Sequence, residues 1–131
     1  MKRYLFCLAA AAVLFSCKKS GVSPQLTGTW ELRQMYGGFG YHDSVYVAGN
    51  GNKYQFNSNG TYKHFKDGTQ DASGTFEYKK KSITFAGEVY DELIFDHAAS
   101  GDDMVTLNGS KMTMGTTVTD GIASDYQKIS N

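Results

Sequence analysis

The sequence predicts an all-β domain, a small up-and-down antiparallel β-barrel of eight or nine strands. Three observations carry this expectation. From Leu26 onward glycine, asparagine and aspartate break the chain at short intervals. The segments between them are rich in threonine, tyrosine, phenylalanine and valine, side chains that suit a pleated, half-buried surface. No stretch of the same region sustains a helical period. A closed barrel is preferred to an open sandwich because closure leaves no strand edge exposed.

The elements follow in order. Gly28 to Tyr36 places Trp30, Leu32 and Gln34 on one face of a first strand and Glu31, Arg33 and Met35 on the other. Gly37-Gly38-Phe39-Gly40 has no helix behind it to present to a phosphate and reads as a loop. Residues 37–50 form an apolar, glycine-rich connection through Phe39, Tyr41, Val45, Tyr46 and Val47. Asn52 to Asn57 brings Tyr54 and Phe56 together; Ser58-Asn59-Gly60 supplies a turn, and Thr61 to Lys66 returns with Tyr62 and His64 on one face. Gly74 to Lys79 pairs Phe76 with Tyr78, Lys79-Lys80-Lys81 reads as a solvated turn, and Ser82 to Ala86 pairs Ile83 with Phe85. Tyr90 to Asp96 pairs Leu93 with Phe95, and Met104 to Asn108 pairs Val105 with Leu107. Lys111 to Val118 alternates methionine with threonine as a ninth strand or an extended loop, and Asp125 to Ile129 carries Tyr126 near the end.

Ahead of these segments stands a different composition. Lys2 and Arg3 precede an apolar run from Tyr4 to Phe15, which Leu14-Phe15-Ser16-Cys17 closes. The run is shorter than the roughly 20 residues of a membrane span and suits an export signal. Its last four residues resemble the lipobox of bacterial lipoproteins, which implies cleavage after Ser16 and lipid on Cys17. The expected organisation is residues 1–16 signal peptide, 17–25 lipidated flexible tether and 26–131 barrel. Cys7 leaves with the signal and Cys17 takes the lipid, so no disulfide is expected in the domain.

Losing Lys2 and Arg3 takes the 13 basic residues to 11 against 13 acidic ones, a formal charge of −2. That balance does not attract nucleic acid. His42, His64 and His97 lie far apart and lack metal-ligand spacing, so no metal and no cofactor are expected. The stretch from Gln55 to Gly60 faintly echoes a calcium loop, but Lys66 stands where the bidentate glutamate belongs. Nothing resembles a nucleophile elbow or a catalytic triad, and an enzyme is not expected.

Leu26-Thr27-Gly28-Thr29-Trp30-Glu31-Leu32, Tyr54-Gln55-Phe56, Asn59-Gly60-Thr61-Tyr62, Ser73-Gly74-Thr75-Phe76 and Asp125-Tyr126-Gln127-Lys128-Ile129 together resemble the lipocalin-like lipoproteins of Bacteroidetes. The resemblance implies an eight-stranded calyx, with Gly28 and Trp30 closing one end. It also implies a place in the cell envelope, anchored through Cys17 to the outer membrane, and because Lys18 and Lys19 rather than an acidic run follow Cys17, the periplasmic face is expected. Two functions compete. In the first, the barrel binds a small apolar ligand, with Tyr54, Phe56, Phe76, Tyr78 and Phe85 as its lining. In the second, a filled barrel contacts another envelope component through its loops. Asp43-Ser44-Val45 resembles an O-glycosylation tripeptide, though a plain loop serine is favoured.

Overall fold

A computed structural model describes residues 22–40, 43–98 and 103–131 of the chain. Nine strands make up the secondary structure of these residues: β1 Gly28–Gly37, β2 Ser44–Val45, β3 Lys53–Phe56, β4 Thr61–Lys66, β5 Thr69–Phe85, β6 Glu88–Phe95, β7 Asp103–Asn108, β8 Lys111–Thr116 and β9 Ile122–Ser130. Neighbours run antiparallel in the order β2-β1-β3-β4-β5-β6-β7-β8-β9, and pairing of β9 with β1 closes the sheet. Eight strands therefore form a closed barrel, with β2 as an additional strand beside the upper half of β1.

The turns obey local chemistry. Asp67-Gly68 and Ala86-Gly87 each place two successive residues at positive φ, the conformation whose twist matches tightly hairpinned strands. At the asparagine-glycine site the loop is longer: the Asn57 amide donates to the Thr61 carbonyl at 2.9 Å and the Gly60 amide to the Asn57 carbonyl at 3.1 Å. Only Gly60 in that turn takes the left-handed conformation, at φ 81°.

Three local expectations are corrected. Residues 74–79 and 82–86 belong to one 17-residue strand, β5. The three lysines do not end it, because a pairing irregularity between Lys79 and Ile83 absorbs them while the ladder to β6 continues. Second, the first strand does not alternate throughout. A register shift between Leu32 and Gln34 against β9 turns Met35 toward the interior, opposite Ser124, and sends Gln34 outward. Third, residues 37–50 are not wholly loop, because β2 pairs Ser44 with Met35 and Val45 with Gln34.

β2 and β3 behave as one strand interrupted by residues 46–52. The backbone of Leu32 and Arg33 of β1 spans this insertion: the Tyr46 amide donates to the Arg33 carbonyl at 2.8 Å, and the Leu32 amide to the Asn52 carbonyl at 2.9 Å. Asn50 Nδ2 donates to the carbonyls of Leu32 at 2.9 Å and Val47 at 2.6 Å, while Asn50 Oδ1 accepts from the Asn52 amide at 2.9 Å. The buried Glu31 carboxylate accepts from Arg33 at 2.5 Å and from the Gly49 amide at 3.1 Å. Burial alone would push this carboxyl up, but Arg33 and the amides of Gly49 and Gly51 outweigh it and hold the group below its usual range. A depressed pKa gives stability that is present above the ordinary carboxylate value of about 4.3 and is lost as pH falls through the folded value. Residues 46–52 should therefore loosen below about pH 4 in wild type, and at neutral pH in Glu31→Gln. Amide exchange at Gly49 and Asn52 reads both.

Gly51 explains why this insertion can rest on its neighbour. Its φ is 80°, and a Cβ there would stand 2.4 Å from the Gly68 amide nitrogen. Both conformation and space require glycine. Gly51→Ala should cost at least about 2 kcal/mol in denaturant unfolding, whereas Gly49→Ala, with open space around it, should cost only the strain of its φ.

The core fills the end of the barrel where β1 begins. Leu26, Trp30, Phe56, Tyr62, Phe76, Leu93, Val105, Met112 and Met114 form one buried cluster. Val22 packs against it, and a turn joins the Ser23 carbonyl to the Leu26 amide at 3.0 Å. Residues 22–25, expected as tether, thus lie against the foot of the barrel.

Candidate functional site

Above the core, between β1, β4 and β9, the barrel keeps a half-open cavity of about 420 Å³. Leu32 and Met35 of β1, Tyr46 and Asn52 of the insertion, His64 and Lys66 of β4, and Ser124 and Tyr126 of β9 line it. β4 and β9 contribute alternate residues, as side chains on one face must, whereas on β1 the register shift after Leu32 brings in Met35 three residues on. The pairing carries this around the wall: Leu32 stands opposite Tyr126, and Met35 opposite Ser124.

Beneath the cavity the aromatics change from lining to packing. Tyr54 stacks on Phe56 at 5.5 Å and on Phe95 at 5.7 Å, meets Tyr126 edge-on at 5.8 Å and lies 4.4 Å from the His64 ring. Such offset and edge-on pairs add about 0.5–1.5 kcal/mol each beyond area burial. His64 Nδ1 sits 2.6 Å from Asp71 Oδ1, which fixes the orientation of the imidazole.

Polar groups rise through this aromatic layer. Burial, then the neighbouring Tyr126 and Asp103, push the Tyr54 hydroxyl well above its usual value. Burial also raises Tyr126, to about 12, with Asp103 and Tyr46 adding to the rise and a Ser124 hydrogen bond opposing it. Tyr62 and Tyr78 are raised too, by burial and by donating to Asp96 and Asp91. A tyrosine raised in the fold stabilises fully below the unfolded value of about 10, and the gain disappears as pH climbs through the folded value. Alkaline unfolding should therefore begin above about pH 10. Tyrosinate absorbance should show a late, cooperative phase that coincides with loss of β-sheet circular dichroism.

Of the five residues expected to line a ligand, the structure brings Tyr54, Phe56 and Phe76 into ring contact and packs Tyr78 against the same core, while Phe85 lies apart. Phe56 and Phe76 are 1% and 5% exposed and pack in the core. Tyr54 lies in the layer under the cavity. Tyr78 is half-buried against the core with its hydroxyl on Asp91. Phe85, at the last position of β5 beside Glu88, stands apart from the core cluster. Gly28 and Trp30 sit together at the filled end: Trp30 is fully buried, and a Cβ on Gly28 would meet the Ser130 carbonyl oxygen at 2.4 Å. Cys17 and His42 lie outside the described residues.

Most of the cavity wall escaped sequence reasoning. The Tyr62 and His64 alternation was visible and points at the right face of β4. Met35 needed the register shift, while Tyr46 and Asn52 needed the insertion, and neither device leaves a periodic trace.

The fold and the cavity define a small closed antiparallel barrel, compatible with a calycin-like fold, filled at one end and open at the other. Comparison with protein-family models, with curated proteins and with solved structures finds no match.

Proposed function

We propose that this chain is a lipocalin-like binding protein, tethered to the bacterial envelope through lipid on Cys17, that holds a small apolar or amphipathic molecule in the mouth of its barrel. The observation that carries this reading is the cavity of about 420 Å³, inside the range of about 300–1,000 Å³ typical of small-molecule sites. Leu32, Met35 and the ring of Tyr126 offer an apolar surface, and Asn52, His64, Lys66 and Ser124 offer polar groups to orient a head. Filling the lower barrel with Trp30, Phe56 and Phe76 moves the ligand up to the mouth rather than into the centre. The tetrapeptide ending at Cys17 supports a lipid anchor, and Lys18 and Lys19 after it, in place of an acidic run, support the periplasmic side.

Titration of fatty acids, sterol-like compounds and haem against the intrinsic fluorescence of the domain tests it. At least one series should saturate, and Met35→Trp, which fills the cavity, should weaken that ligand at least about tenfold, or about 1.4 kcal/mol. No saturable change with any of them, or equal affinity in Met35→Trp, would remove the cavity as the site. A second reading, contact with an envelope protein through the loops, draws support from Phe39, Val45 and Val47, which are 96%, 80% and 78% exposed.

A further inference from the structure

We infer that the filled end of the barrel is the surface that faces the anchoring bilayer, so that the cavity opens away from it; this rests on the proposed lipid at Cys17. The first observation is where the chain enters the fold. Val22 packs on the core, within 3.9 Å of the place a Cβ on Gly60 would occupy, and Lys128 Nζ donates to the Gln25 carbonyl at 3.3 Å. Gly60 belongs to the β3–β4 turn at the filled end, where the β5–β6 and β7–β8 turns also lie. Only four residues lie between Cys17 and Val22, so the five steps from one to the other reach at most about 18 Å when fully extended. β1 alone is ten residues long, roughly 33 Å along the strand. An acyl group held so close to the filled end cannot bring the mouth to the same membrane without turning the barrel over against its own tether.

Charge is arranged in the same sense. Lys80 and Lys81 lie on the part of β5 that runs down to the filled end, Lys111 starts β8 beside the β7–β8 turn, and Lys128 lies near the end of β9. Around the mouth, Asp43, Asp67 and Asp120 occupy the connections near β2, between β4 and β5, and between β8 and β9 and outnumber Lys53 and Lys66 there, while at the filled end Glu88 offsets one of the four lysines. A basic foot is drawn to anionic headgroups and an acidic rim is repelled by them. Five exposed apolar side chains, Phe39, Val45, Val47, Val118 and Ile122, flank that acidic rim. In this orientation they stand clear of the bilayer, and ligand exchange takes place on the aqueous side.

Acylated protein, extracted from its host membrane and checked by intact mass, is reconstituted into phosphatidylcholine vesicles with and without phosphatidylglycerol. The variants Asn59→Cys, at the filled end, and Val118→Cys, at the mouth, carry a fluorophore, and the lipids carry a headgroup-level quencher. The label at position 59 should be quenched several-fold more than that at 118, and the difference should widen with phosphatidylglycerol and shrink in high salt. Equal quenching, or stronger quenching at 118, overturns the orientation while leaving the anchor intact. An intact mass without acyl groups on Cys17 overturns the anchor, and the orientation falls with it.

Discussion

Trp30→Ala should lower the unfolding free energy by about 3–5 kcal/mol, the range for deleting a large, fully buried aromatic. The indole is 0% exposed at the base of the barrel, and its Nε1 donates to the Leu26 carbonyl at 2.7 Å. Two losses therefore combine: the packing volume, and the partner of a buried carbonyl, which by itself costs about 1–3 kcal/mol when orphaned. Trp30→Phe separates them, since it keeps much of the volume and removes only the donor; it should cost about 1–3 kcal/mol. Lys128 Nζ, 5.4 Å from the indole centroid, adds a cation–π contact that both variants weaken. Chemical denaturation measures all of this, and a Trp30→Ala loss below about 1 kcal/mol would contradict the packing described.

Phe56→Ala should be as damaging, about 3–5 kcal/mol, and the reason decides what the residue is for. Phe56 stacks on Tyr54, meets Phe76 edge-on at 5.0 Å and is 1% exposed. A side chain enclosed in that way supports the fold and leaves no face for a ligand. The volume-conserving Phe56→Leu should fold with a modest loss, below about 1.5 kcal/mol. It should also bind any cavity ligand as wild type does, while Tyr126→Leu, on the cavity wall, should bind it measurably more weakly. Weaker binding in Phe56→Leu at retained stability would return Phe56 to the ligand site.

Turn residues and two-residue alternation depend only on neighbours along the chain, and these were legible. The Asn59-Gly60 turn, the strands around Tyr54, Leu93 and Val105, and the buried place of Trp30 follow from local sterics and the period of the pleat. Alternation says that Phe56 and Phe76 share a face with Tyr54 and Tyr78, but not whether that face meets packed side chains or open space. The taper from filled base to open mouth is a property of the closed barrel, set by how far each strand is shifted against the next.

The sequence by itself determined an all-β chain, most of its turns and which side chains share a face where the alternation is unbroken, because each follows from interactions a few residues apart. Closure of β9 on β1, the shift at Leu32 that brings Met35 inward, and the insertion of residues 46–52 that adds Tyr46 and Asn52 to the cavity were decided only by the tertiary structure. Each joins segments remote along the chain, and the energy that selects it exists only once those segments are packed together.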